Sequence, residues 1–157
     1  EMAAYWGYPI ESHDVITDDG YILNLLRIPH GRTNKTSSTC HRTPILLVHG
    51  NGGNAGEWLL NPPESSPGMI LADAGFDVFL IGVRGTMDSK QHLNMTSNDR
   101  EFWKFTLDEM AMYDSTAAVD KTLALSGAPS LYWLGHSQGT TLGFMMLAGR
   151  PEYNSKV

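Results

Sequence analysis

The sequence predicts an α/β domain with a mostly parallel sheet and flanking helices, and three observations predict it. Ile45-Leu46-Leu47-Val48, Val78-Phe79-Leu80-Ile81 and Leu131-Tyr132-Trp133-Leu134 are apolar at consecutive positions, the mark of strands buried on both faces. Helical segments separate these runs, and strands that alternate with helices pair in parallel. Two of the runs end abruptly in glycine-bearing turns, His49-Gly50-Asn51-Gly52-Gly53 and Gly135-His136-Ser137-Gln138-Gly139.

The elements follow in order. Val15-Ile16-Thr17 and Tyr21-Ile22-Leu23 flank Asp18-Asp19-Gly20, and an Asp-Gly pair suits a tight hairpin because glycine accepts positive φ. Residues 30–43 are polar and predict a solvated loop carrying the sequon Asn34-Lys35-Thr36. The first buried strand comes next, then a short helix over Met69 to Ala74, a turn at Gly75 and the second strand. Thr106 and Glu109 stand in capping-box spacing at the start of the best helix. Leu107, Met110, Ala111, Ala117, Ala118 and Leu125 form its expected buried stripe, Asp108, Glu109 and Asp114 its solvated or capping face, and Ser126-Gly127 its stop. The third buried strand runs into Gly135, and Gln138 to Ala148 reads as the final helix.

Composition narrows the function classes. A chain of 157 residues fits one compact domain, and no repeat or linker divides it. Hydrophobic residues at 41% and charged residues at 18% exclude a disordered chain. A net charge of −6 argues against a nucleic-acid partner, which needs clustered Lys and Arg. No apolar run approaches the roughly 20 residues of a membrane-spanning helix. The lone cysteine, Cys40, excludes an internal disulfide and a multi-cysteine metal site, and neither metal nor cofactor is expected. The chain starts at Glu1 with no signal peptide, which suits a mature or excised segment.

Gly135-His136-Ser137-Gln138-Gly139 is a G-x-S-x-G motif directly after an apolar strand and directly before a helix. A sharp strand-to-helix turn exposes the serine hydroxyl, and its glycines are needed where side chains would meet the neighbouring strand and helix. The amide of Gln138 then faces any oxyanion formed beside Ser137. His49-Gly50-Asn51 alone reads as an ordinary strand-to-helix turn; beside such an elbow it supplies a second oxyanion amide, from Asn51. Catalytic serine is therefore the leading assignment for Ser137.

Other candidates are weaker. His49 and His136 belong to turns that serve backbone placement, and His13, His30, His41 and His92 read as solvated. The segment from Asn51 to Gly56 lacks the G-K-[ST] ending of a phosphate loop. Met110, Met112, Met145 and Met146 read as core. A nucleophilic serine needs a histidine base and an orienting carboxylate, in the chain order Ser, Asp or Glu, His for this kind of elbow. Residues 138–157 contain Glu152 and no histidine, so the triad is not completed in that order within this chain.

Several motifs together match one family. They are Tyr5-Trp6-Gly7-Tyr8-Pro9, Thr17-Asp18-Asp19-Gly20-Tyr21-Ile22-Leu23, Arg27-Ile28-Pro29-His30-Gly31, and His49-Gly50 with Trp58. The match continues through Leu71-Ala72-Asp73-Ala74-Gly75-Phe76-Asp77-Val78, Arg84-Gly85, Glu101-Phe102-Trp103, Asp108-Glu109-Met110-Ala111, Tyr113-Asp114 and Gly135 to Thr141. On these residues the chain resembles the N-terminal part of the acid lipases, the group of gastric and lysosomal acid lipases and their invertebrate relatives.

The resemblance implies an α/β-hydrolase fold, incomplete at the C-terminal side. Residues 1–157 would be the N-terminal portion of a single domain whose cap and last strands are absent. It implies hydrolysis of neutral lipid esters, triacylglycerol or cholesteryl ester, with Ser137 as nucleophile and Gln138 and Asn51 as oxyanion donors. The triad Asp and His are expected beyond this chain, so the fragment alone is expected to be inactive. The partners implied are a lipid ester and a transiently contacted lipid interface. The location implied is secreted or lysosomal, with glycosylation at Asn34 and at Asn94 of Asn94-Met95-Thr96. The chain departs from the family in two places. Asn51-Gly52-Gly53-Asn54 stands where the family has apolar residues bordering the acyl pocket, and Gly82-Val83-Arg84-Gly85 replaces a more polar run. The alternatives are a non-catalytic lipid- or partner-binding protein that keeps half of the fold, with an unpaired sheet edge near Leu131–Leu134, and another serine hydrolase such as an acyltransferase or peptidase.

Overall fold

The structure is a computed structural model and describes residues 2–33 and 42–157. Asn34, Cys40 and His41 lie outside the described residues. A short helix, α1 (Met2–Tyr5), leads into a hairpin of β1 (Glu11–Ile16) and β2 (Tyr21–Ile28). Its turn forms as the Asp-Gly pair predicts, with Gly20 at φ +93° and the Thr17 hydroxyl donating to Asp19 at 2.6 Å. Strand β3 (Pro44–Val48), helix α2 (Pro67–Asp73) and strand β4 (Asp77–Ile81) follow, then the two-residue β5 (Gln91–His92).

Among the described residues the sheet has six strands in the order β1-β2-β4-β3, then β6 (Tyr132–Gly135), with β5 paired to β2. The three apolar runs are the parallel strands: β3 lies between β4 and β6 and is parallel to both. The other half is antiparallel, through β1 with β2 and β2 with β4, so the whole sheet is mixed. Every residue of β3 and β4 is buried. Leu46, Val48, Phe79 and Ile81 face one layer with Ala118, Val119, Leu142 and Met146; Ile45, Leu47, Val78 and Leu80 face the other with Trp58, Met69 and Ala72. Alternation on a strand covered on both faces gives this two-sided core.

Three expectations need correction. β6 is not buried on both faces: Tyr132 is 61% exposed, and among the described residues β6 is the edge strand, paired only with β3. The long helix is not uniformly α-helical. It starts as α3 (Leu107–Glu109), capped by the predicted Thr106–Glu109 box, passes through a π-helical segment, Met110–Ser115, and continues as α4 (Thr116–Ser126) to Gly127 at φ +70°. The wider π segment rotates the phase of the helix, so Leu107 is exposed, whereas Asp114, assigned to the solvated face, is completely buried. His92 is also not simply solvated: it packs edge-on against Tyr21 at 4.8 Å, and its Nε2 is 2.9 Å from the carbonyl of Asp19. The methionines behave as core, with Met146 fully buried and Met110, Met112 and Met145 packed against it.

Candidate active site

β6 delivers the chain to Gly135, and the final helix, α5 (Gln138–Gly149), begins two residues after His136. Ser137 stands between them at φ +50° and ψ −112°, the only non-glycine at positive φ among the described residues. Such a conformation costs about 1–3 kcal/mol and persists only where the surroundings impose it. Here they do. A Cβ on Gly135 would stand 2.4 Å from the amide nitrogen of Thr140, and one on Gly139 would stand 2.2 Å from the carbonyl oxygen of Val48. Gly135 therefore lets the end of β6 meet the head of α5, and Gly139 lets the elbow sit tight against β3. Ser137 is exposed, and its hydroxyl makes no capping bond to α5, so the Oγ is left for chemistry at a helix N-terminus.

The turn after β3 lies against this elbow. A Cβ on Gly50 would be 3.4 Å from the Cβ of Ser137 and 2.9 Å from Nδ1 of His136. His49 is buried; its Nε2 accepts from the Val83 amide at 3.2 Å, so its Nδ1–H donates to the Gly50 carbonyl at 2.7 Å. Both ring nitrogens are occupied by backbone, in keeping with a placement role and not a base. The Gly53 amide closes the turn on the Gly50 carbonyl at 3.1 Å, with Gly52 at φ +76°. Asn51 and Gln138 line one cleft of about 590 Å³, together with Met87, Trp103, Phe105 and Met110. The side-chain amide of Gln138 rests on the Met110 sulfur at 3.2 Å. Ser137, Asn51 and Gln138 are thus brought to one end of the parallel strands. His136 points away to Glu57, with Nδ1 2.7 Å from Oε1, a pairing that sequence reasoning missed.

Sequence reasoning also missed the support of the cleft wall. Arg84 follows β4 and is fully buried. Its Nη1 and Nη2 donate to Asp19 at 2.6 and 2.9 Å, its Nε and backbone amide donate to Asp114 at 2.8 Å each, and its guanidinium lies 3.9 Å over the Tyr21 ring. Burial pushes the Asp114 carboxyl up to about 6 despite Arg84. Burial would also raise Asp19, but the hydrogen bonds from Arg84 and Thr17 hold it below its ordinary value. Burial opposes the charge on Arg84, and the two carboxylates outweigh it and raise its pKa. An arginine between small and apolar residues after a strand is the available sequence signal; its partners, Asp19 and Asp114, are remote in the chain.

Asn94 is exposed just after β5. Among the described residues no group of three or more His, Cys, Asp or Glu could hold a metal ion, and no helix is long and apolar enough to cross a membrane.

Comparison with known proteins identifies the family. Residues 43–157 match the family model for the alpha/beta hydrolase fold, and residues 1–62 match that for a partial alpha/beta-hydrolase lipase region. Gastric triacylglycerol lipase of Bos taurus is 45% identical over all 157 residues of the chain. Human lysosomal acid lipase/cholesteryl ester hydrolase is 43% identical over the same length, and human lipase member J is 44% identical over 92% of the chain. The chain spans 39% of the first two relatives and 40% of the third. An epoxide hydrolase from Vigna radiata, 18% identical, superposes with a TM-score of 0.60 over 94% of this chain and 38% of its own, which speaks to fold alone. The acid-lipase resemblance drawn from scattered motifs thus extends over the whole chain. By its match over residues 43–157 the chain belongs to the α/β-hydrolase fold family, and its first 62 residues match the family's partial lipase region.

Proposed function

We propose that the chain is the part of a serine ester hydrolase that holds the nucleophile, Ser137, and two oxyanion donors, the amides of Gln138 and Asn51, and that its substrates are neutral lipid esters. The observation that carries this reading is the backbone of Ser137, held at positive φ at the head of α5 and pressed against Gly50. The names of the relatives, a triacylglycerol lipase and a cholesteryl ester hydrolase, support the substrate class.

In the proposed reaction the Ser137 Oγ attacks the ester carbonyl carbon and its proton passes to a histidine base. The two amides stabilise the oxyanion, each by about 3 kcal/mol. The C–O bond to the alcohol then breaks, and the alcohol leaves with the proton from the histidine. Water, deprotonated by the same base, cleaves the acyl-serine and releases the fatty acid. The base and its carboxylate come from the part of the enzyme beyond the span of this chain, because residues 138–157 contain no histidine and His49 has both nitrogens occupied. Met87, 74% exposed, and Trp103, 45% exposed, give the cleft an apolar rim suited to transient contact with a lipid interface. Glycosylation at Asn34 and Asn94 and a secreted or lysosomal location belong to the same reading.

The test is a fluorophosphonate probe applied to the full-length protein from its native source. Ser137 should carry the label, and Ser137→Ala should lose it; undiminished labelling of that variant would sink the assignment. Residues 1–157 alone should show no turnover. A second reading, a non-catalytic lipid- or partner-binding protein, draws on the open edge of β6 and the apolar groove of about 530 Å³ beside it, and an unlabelled native protein of this chain's length would favour it.

A further inference from the structure

We propose that Glu57 is a positioning residue: its carboxylate ties the turn that carries Asn51 to the elbow that carries Ser137. The inference rests on the reading of those two residues given above. Glu57 lies in a one-turn 3-10 helix, Ala55–Leu59, which Asn54 caps by accepting from the Gly56 amide at 2.7 Å. From there a single carboxylate reaches two segments. Oε2 accepts from the Gly50 amide at 3.3 Å, and Oε1 accepts from Nδ1–H of His136 at 2.7 Å. Gly50 immediately precedes Asn51 and His136 immediately precedes Ser137.

The surroundings are shaped for this carboxylate. A Cβ at Gly53 would stand 2.3 Å from Glu57 Oε2, so the glycine there clears its place. Gly50 likewise clears the His136 ring. Buried Trp58 meets that ring edge-on at 6.5 Å. The polar, glycine-rich run Asn51-Gly52-Gly53-Asn54 thereby acquires a physical reason: it accommodates the tie.

With His136 62% exposed and Glu57 24% exposed, the pair contributes little to global stability. Its effect is local. Oxyanion donors act only when preorganised, within about 0.5 Å of the productive geometry. The interaction they serve exists only as charge develops on the substrate oxygen, so loss of the tie should lower kcat and leave KM alone.

The experiment compares full-length wild type with Glu57→Ala and Glu57→Gln, using a soluble short-chain ester and measuring amide exchange at Gly50. Glu57→Ala should lower kcat about tenfold with KM within about twofold, and should speed Gly50 exchange. Glu57→Gln keeps an acceptor for the Gly50 amide and should retain at least half of the wild-type kcat. If Glu57→Ala fails to fold, Glu57→Asp, one methylene too short to span both partners, takes its place with the same expectation. The proposal is overturned by an unchanged kcat, by a change confined to KM, or by Glu57→Gln falling as far as Glu57→Ala. A wild type that neither turns over ester nor is labelled at Ser137 overturns the hydrolase reading itself, and the positioning role of Glu57 with it.

Discussion

Asp114 shows how a single buried carboxylate sets a pH dependence. Its pKa of about 6 lies above the ordinary 3.8, so the folded state binds this proton more tightly than the unfolded chain does. The stabilisation is complete below the ordinary value and is lost as pH rises through about 6. Asn mimics the protonated form at every pH. Between about pH 4 and pH 8, the stability of Asp114→Asn relative to wild type should therefore improve by about 2–3 kcal/mol, read from denaturant midpoints. A shift in the opposite direction would mean that Arg84 dominates burial. Single residues also set the limit of what sequence reveals. The elbow at Ser137 was legible because the demand for Gly135 and Gly139 is local, written within five consecutive positions. The partners of Arg84 and of His136 were not, because Asp19 lies 65 residues from Arg84 and Glu57 lies 79 residues from His136. Nothing local marks such a pair.

Among the elements, the helix from Leu107 to Ser126 carries both a success and a failure of periodicity. Its start was legible from the capping box, in which the Thr106 hydroxyl accepts from the Asp108 amide at 3.2 Å and Glu109 returns to the Thr106 amide at 2.7 Å. Thr106→Ala should cost about 1 kcal/mol of stability, with the loss confined to this helix start in amide exchange. The stripe beyond it was misread because a fixed period of 3.6 cannot represent a π segment, which widens the turn and moves later residues round the axis. That shift buries Asp114 where Arg84 needs it and sets Met110 beneath Gln138. β6 was read as buried because its apolar run resembles those of β3 and β4; composition does not tell a central strand from one with a single neighbour.

For the whole molecule, alternation of strand and helix correctly indicated the parallel half of the sheet and the position of the elbow at its end. In the antiparallel half the β1–β2 hairpin was legible from its Asp-Gly turn, but the joining of β2 to β4 left no comparable trace because pairing partners are not encoded in composition. The edge at β6 has a physical consequence for residues 1–157 taken alone. Tyr132 at 61% and Phe144 at 72% exposure flank an apolar groove next to unpaired backbone groups, and such an edge templates association. Light scattering should show concentration-dependent self-association of this chain, and Tyr132→Lys should raise the monomer fraction. A wild-type chain that stays monomeric at high concentration would contradict it.

The contacts of Arg84 with Asp19 and Asp114 bear finally on the order of events in folding. Burial of an arginine before both carboxylates arrive leaves an uncompensated charge, at a cost of about 3–5 kcal/mol. The three segments are separated by 65 and 30 residues, so they meet only once the hairpin, β4 and the π segment are all in place. Arg84 and its two carboxylates are therefore expected to come together on the native side of the rate-limiting barrier, as a latch and not a nucleus. Removing Asp19 should leave the refolding rate nearly unchanged and hasten unfolding, so these charges govern how long the assembled cleft wall persists more than how quickly it forms.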